Sequence, residues 1–260
     1  MLLKAHYTDT LHDTELLIEN TEGVYGDDPL RFTLDGIRFS GSSFGDFSLA
    51  DPAQAPIARQ RFCLLQWGGS NTIGGRVLRQ PYRYELQRYR LALELPVSLC
   101  GPGGEPAEGA LRLVFRYLAH DPARPQCILL CDGERVWRDD AVVEEFSLLA
   151  GGERHYSRRR TLCFEEALAD LAAQLAGRYT LRCCFTCQWS DYSPCGSDDF
   201  GTLFCFCRHK ADYLKVETKD DLFALMARAG YDARQETWLC GEYAPRTRVG
   251  DYRGFVPGLR

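Results

Sequence analysis

Two periods run along this chain. In the first half, short apolar–polar alternations at Glu15–Glu19 and Arg31–Phe39 are followed by runs rich in β-formers at Arg61–Trp67, Tyr82–Leu95, Ala110–Ala119 and Gln126–Cys131. Alternation of this kind marks strands with one buried face. Gly/Pro stretches separate them, including the connector GPGGEPAEG at 101–109. Asp35-Gly36 splits Arg31–Phe39, and Asp132-Gly133 divides Ile128–Cys131 from Arg135–Trp137. An Asp-Gly pair between alternating runs predicts a two-residue hairpin loop.

In the second half the period lengthens. Phe164, Leu168, Leu171 and Leu175 recur at steps of four, three and four, which predicts an amphipathic helix stopped by Gly177. A strand at Tyr179–Phe185 follows, then a polar loop to Asp199 and a strand at Thr202–Cys207. A second helix is predicted near Lys219–Ala229, with Thr218 and Asp221 as a capping box and Gly230 as its stop. The expected fold is therefore α+β. Residues 1–150 form a β-rich domain with sandwich-like sheets, and residues 151–260 form an α+β, cysteine-rich part with a zinc-type site, able to share one core with the first.

Composition narrows the partners. The chain has 260 residues, 45% of them hydrophobic and 26% charged, enough to fold without external staples and too apolar for disorder. Net charge is −5 and pI ≈ 5.6, which makes nucleic acid an unlikely general partner. Charge is patterned. Residues 1–58 hold three Lys/Arg against ten Asp/Glu, whereas residues 59–100 hold seven Arg against two Glu. The opening MLLKAHYTD is polar within four residues, unlike a secretory signal, and no apolar run approaches the ~20 residues of a membrane helix. The expected compartment is the cytoplasm, with no membrane partner.

In a reducing compartment, twelve cysteines should be thiols or metal ligands. Eight of them fall after residue 150. Cys184-x-x-Cys187 has the spacing that brings two thiolates to one tetrahedral zinc from a tight turn. Cys205-x-Cys207 is less suited, because both side chains of a strand pair point the same way, about 7 Å apart at Cα. Cys240, in WLCGEY, can return the end of the chain to the site. The preferred ligand set is Cys184, Cys187, Cys205 and Cys240 around a structural Zn2+, with His209 as the alternative to one thiolate. The competing readings are small buried thiols and redox or iron–sulfur use.

The same residues carry a resemblance. Cys184-x-x-Cys187-x-x-Ser190-Asp191-Tyr192-Ser193-Pro194, then Gly196, Phe200-Gly201 and Cys205-Phe206, resemble an uncharacterised bacterial family, and KVETKDD at 215–221 and ETWLCGEY at 236–243 are similar as well. The likeness is most specific from Leu181 onward and is only a general β-rich pattern in front. It implies a shared metal-like site built from the four cysteines named above, with Cys183, Cys195 and Cys207 as extras, and it implies no reaction.

Other motifs fail. In GGSNTIGGR at 68–76 the G-x-x-x-x-G is followed by Gly75-Arg76, where a phosphate loop needs Lys-Ser/Thr, so the stretch reads as a loop between strands. Asp191, Asp198 and Asp199 lack the alternation of a calcium loop. RHYSRRR at 154–160 reads as an exposed linker. The function expected is a non-enzymatic bacterial binding protein, an immunity protein that neutralises a cognate secreted toxin, a nuclease for example, by protein–protein contact. Phe44, Asp46, Phe47 and Asp51 form the expected contact patch, on the reasoning that an acidic surface steers toward a cationic toxin. The alternatives are a zinc-dependent hydrolase, with Asp191 or Glu242 as base, and a zinc-ribbon nucleic-acid or regulatory module using the 59–100 band and Arg154–Arg160.

Overall fold

The computed structural model describes residues 2–21, 28–118, 128–138, 141–159, 161–192, 200–201 and 203–247. Cys127, Cys195, Asp198 and Asp199 lie outside them. The chain divides into two compact units, each assembled from separated segments. One comprises Met1–Asn20, Asp28–Leu93 and Val114–Glu144; the other comprises Thr21–Asp27, Glu94–Leu113 and Glu145–Arg260.

The strands of the first unit are β1 (Leu2–Thr8), β2 (Asp13–Asn20), β3 (Leu30–Leu34), β4 (Ile37–Gly41), β5 (Ser48–Leu49), β6 (Leu64–Ile73), β7 (Arg76–Leu86) and the start of β8 (Arg90–Cys100). After β9 (Pro106–Tyr117) come β10 (Ile128–Cys131) and β11 (Glu134–Trp137). Their lateral order is β11-β10-β6-β7-β5-β4-β3-β2-β1-β8. Successive neighbours are antiparallel except β10 against β6, which meet in parallel at Cys131↔Gly68. Both Asp-Gly hairpins form. Asp35 and Gly36 lie at φ 51 and 75, and Asp132 and Gly133 at φ 49 and 84, the left-handed pair that a twist-matched two-residue loop requires.

The inward face of this sheet is aromatic. Tyr7 stacks on Tyr89 at 5.8 Å between centroids, and Phe32 meets Phe39 at 5.1 Å and Phe47 at 4.9 Å. Each such ring buries a large apolar area, and offset or edge contacts add to it.

The second unit holds the remainder of β8 and β9, then β12 (Ala141–Ala150), β13 (Glu153–Tyr156) and β14 (Thr180–Leu181). β12 pairs with β13, and β14 pairs with β8 through Thr180↔Cys100. Helices α1 (Ala55–Ala58, in the first unit) and α2 (Phe164–Leu175) precede a 3-10 turn at Cys184–Thr186. All four residues of the expected helical stripe are buried in α2. A three-stranded sheet, β15 (Ser190–Asp191), β16 (Leu203–Cys205) and β17 (Asp232–Arg234), follows with α3 (Lys210–Tyr213) and α4 (Lys219–Ala229). In the α4 capping box Asp221 N donates to Thr218 Oγ1 and Thr218 N to Asp221 Oδ2. Phe204, Phe206, Tyr213, Val216, Leu222 and Leu225 make a small core under these elements.

The α+β expectation is overturned. Among the described residues the structure is mostly β, with 48% strand, 17% helix and a large mixed sheet instead of sandwich-like sheets. The helices fall where their periodicity places them, but the strands run longer than their alternation reveals. β12 (AVVEEFSLLA) buries side chains of both parities, and β6–β7 extends through a stretch exposed on both faces, so neither shows a period of two. The zinc-type site that formed part of the expectation is corrected below.

Candidate functional site

In the second unit, the segment that contains Cys184-x-x-Cys187 is wrapped by the chain at 235–246. Cys184 N donates to Trp238 O at 2.7 Å, Phe185 N to Glu236 O at 3.0 Å, Gln188 N to Ala244 O at 2.7 Å and Arg246 N to Thr186 O at 3.0 Å. Ser190 pairs with Cys205 across β15 and β16. This wrapping brings the sulfurs into one neighbourhood. Burial is the largest cause that pushes the Cys184 thiol up, and Cys187, Cys183, Cys205 and Cys240 all lie close enough to push it further. Burial likewise pushes Cys183 and Cys205 up to about 12, and raises Cys187 against N–H bonds from Ala244 and Trp189. Burial therefore favours the protonated form of these thiols, which weakens them as nucleophiles.

Soft sulfurs with N–H···S bonds suit a thiophilic metal, yet among the described residues no group of three or more His, Cys, Asp or Glu side chains could hold a metal ion. The expected set of Cys184, Cys187, Cys205 and Cys240 comes together as neighbouring thiols, the first three buried and Cys240 half-buried, without making such a group. Cys205 is fixed by ladder pairs to Ser190 and Asp232, and Cys184 by its backbone bond to Trp238, so each sulfur is placed by a separate strand or turn. His209, the other residue considered, stands at the start of α3.

The carboxylates around the cluster are engaged. Buried Asp191 accepts from Tyr213 OH at 3.0 Å and from Tyr192 N at 3.1 Å, and exposed Glu242 pairs with Lys210. Glu236 is 0% exposed and accepts from Gly201 N at 2.8 Å and Tyr192 OH at 3.3 Å. Sequence reasoning quoted Glu236 only as part of ETWLCGEY; nothing local to that string signals its partners. The guanidinium of Arg246, also buried, donates to the carbonyls of Cys187 and Ser190. Arg158 of the expected linker pairs with Asp170 on α2.

The expected contact patch of the first unit turns inward. Phe44 and Phe47 are buried core residues, 2% and 0% exposed. Tyr89 OH donates to Phe44 O at 2.9 Å, and Tyr117 OH and Arg138 both donate to Gly45 O. Arg138 also pairs with buried Glu85 at 2.9 Å. Asp46 accepts from Ser43 N at 2.8 Å and from Ser42 OH, and Asp51, though exposed, accepts from Ala53 N at 2.9 Å as a cap. Local alternation cannot tell a core phenylalanine from a contact phenylalanine; the hydrogen bonds that pull this loop in come from residues distant in sequence.

What the first unit does present is the β6–β7 ribbon, closed by a two-residue Gly74-Gly75 turn at φ 56 and 78. Every residue from Thr72 to Arg83 is exposed. Consecutive strand residues point to opposite faces, so both faces of the ribbon stand in water. Its base is clamped. Gly133 N donates to Asn71 Oδ1 at 2.8 Å, while Asp132 accepts from Ser70 N at 2.9 Å and Tyr82 OH at 2.6 Å. A bulge at Gly68-Gly69 permits this contact, since a Cβ on Gly69 would lie 2.0 Å from Asp132 Oδ1. The stretch read as a loop between strands is thus a bulge, two paired strands and a tight turn.

A family described as "Family of unknown function (DUF6304)" matches residues 1–190. The chain belongs to that family. The matched residues include the ribbon and the front of the chain, where the resemblance rested on a general β-rich pattern, and they stop just inside the cysteine motif. No curated protein and no solved structure matches the chain. Among the described residues no helix is long and apolar enough to cross a membrane.

Proposed function

We propose that this member of the family is a non-enzymatic binding protein that acts by protein–protein contact, as a bacterial immunity protein neutralising a secreted toxin. The observation that carries the reading is the exposed apolar surface of the first unit. Ile73 (53% exposed), Val77 (65%), Leu78 and Tyr82 stand out on the ribbon, and Ile128 and Trp137 (54%) on the β10–β11 hairpin paired with β6. Exposed apolar side chains gathered this way mark surfaces that meet another macromolecule, and tyrosine, tryptophan and arginine are the residues such contacts favour. A lone two-stranded ribbon in water is marginal, so a clamped one that keeps its apolar residues outward is built for a partner.

Co-purification of the native protein from its own cell, followed by mass spectrometry, tests the reading together with a deletion strain challenged by its siblings. A secreted protein should co-purify, and the deletion strain should be killed by siblings that secrete it. Purification without any secreted protein, and a deletion strain that stays resistant, would contradict the proposal.

A further inference from the structure

Charge along the ribbon has the opposite sign to the one expected of the binding patch. Residues 64–84 contain Arg76, Arg79 and Arg83 and no carboxylate. These arginines are split between the faces. The register Ile73↔Arg76 and Asn71↔Leu78 places Ile73, Arg76 and Leu78 on one face; Thr72↔Val77 and Ser70↔Arg79 place Val77 and Arg79 on the other. Arg83 is held over the Trp67 ring at 5.6 Å, nearer the base. The tip therefore carries, on each side, one guanidinium beside an aliphatic contact, and extends roughly 10 Å past the clamped Asn71.

A surface apolar on one side only fits a flat partner. A finger with the same chemistry on both sides fits a slot with two walls, and arginine without competing carboxylates fits walls bearing Asp or Glu, because opposite potentials set register and exclude wrong partners. The geometry points to the β6–β7 ribbon as a finger that inserts into a carboxylate-lined cleft of the partner protein, the kind of cleft in which hydrolytic enzymes hold divalent cations. This inference rests on the binding-protein reading and adds the surface used and the chemistry of what receives it. Clamping at Asn71 and Asp132 supports it, since a finger fixed before binding loses little freedom on insertion. A nucleic acid is the less favoured occupant. Two free guanidiniums flanked by Ile73, Val77 and Leu78, in a chain of net charge −5, neutralise few phosphates.

The test is photo-crosslinking in the native cell, with a photoreactive residue placed singly at Val77, at Leu78 or, as a reference on another exposed face, at Leu17. Val77 and Leu78 are solvent-exposed, so neither replacement disturbs the core. The expected result is capture of one and the same protein from both Val77 and Leu78, at two segments that contain Asp or Glu. Yield should fall about tenfold or more on adding Arg76→Glu and Arg79→Glu. Capture from only one of the two positions would overturn insertion in favour of flat docking. Crosslinks to nucleic acid or to a second copy of the chain would overturn the inference outright. Capture at Leu17 alone would remove the finger while leaving the binding reading intact, and no protein captured at any position would remove both.

Discussion

The β6–β7 ribbon and the thiol cluster are the two chemically distinctive regions of this protein, and they treat polar groups in opposite ways. Around the cluster, three buried charged side chains are committed inward: Glu236 to Gly201 and Tyr192, Asp191 to Tyr213, Arg246 to two carbonyls. On the ribbon, Arg76 and Arg79 stand in solvent beside exposed aliphatic residues. Motif density drew attention to the first region, since six of the twelve cysteines lie between 183 and 207. Availability draws it to the second. A group already saturated by its own fold can stabilise but has little left with which to recognise anything else.

The contrast can be broken by mutation. Glu236→Ala leaves a buried tyrosine hydroxyl and a backbone N–H without their acceptor and should cost about 2–4 kcal/mol in denaturant unfolding. Ile73→Ala and Val77→Ala should each stay within about 0.5 kcal/mol, as exposed substitutions do. Equal costs at both places would mean that the ribbon is part of the stabilising core.

Thiol chemistry gives the next effect. Exposed Cys63 should alkylate rapidly at mildly alkaline pH, whereas Cys183, Cys184 and Cys205 should stay unmodified until denaturant is added, as mass spectrometry of labelled peptides would report. Since no group of three or more ligating side chains forms among the described residues, adding a strong zinc chelator should leave the thermal midpoint unchanged. A large drop in the midpoint would show that the cluster closes on a metal, and would return recognition chemistry to the second unit.

A smaller effect concerns pH at the end of β1. The His12 ring meets Asp9 at 2.9 Å and Asp35 at 3.1 Å and stacks on Phe62 at 4.8 Å. Burial is the largest influence and lowers its pKa, but the two carboxylates together outweigh it, so the net direction is upward from 6.5. A histidine raised in the fold adds stability that is complete below its unfolded value and is lost as pH rises through its folded value. The thermal midpoint should therefore decline on going from about pH 6 to about pH 8, and less so in His12→Gln. An identical decline in the variant would assign the pH dependence to other groups.

How much was legible in the sequence depended on where each element's partners lie. Asp35-Gly36, Asp132-Gly133, the α2 stripe and the Thr218–Asp221 box are signals complete within a few residues, and all four appear in the structure. The ribbon was not legible as strand, because a strand wet on both faces has no alternation to read and its glycines mimic a loop. Phe44 and Phe47 could not be told from contact residues without Tyr89, Tyr117 and Arg138, which reach their loop from 45, 72 and 93 residues away. The cysteine spacing was legible; which sulfurs become neighbours was not, since it depends on how the segment at 235–246 folds back.

The central claim, recognition through the ribbon tip, is tested most directly by complementing the deletion strain with an Arg76→Glu/Arg79→Glu variant and measuring survival against toxin-secreting siblings. The account predicts a variant as stable as the natural protein that gives no protection. Full protection by that variant would contradict it.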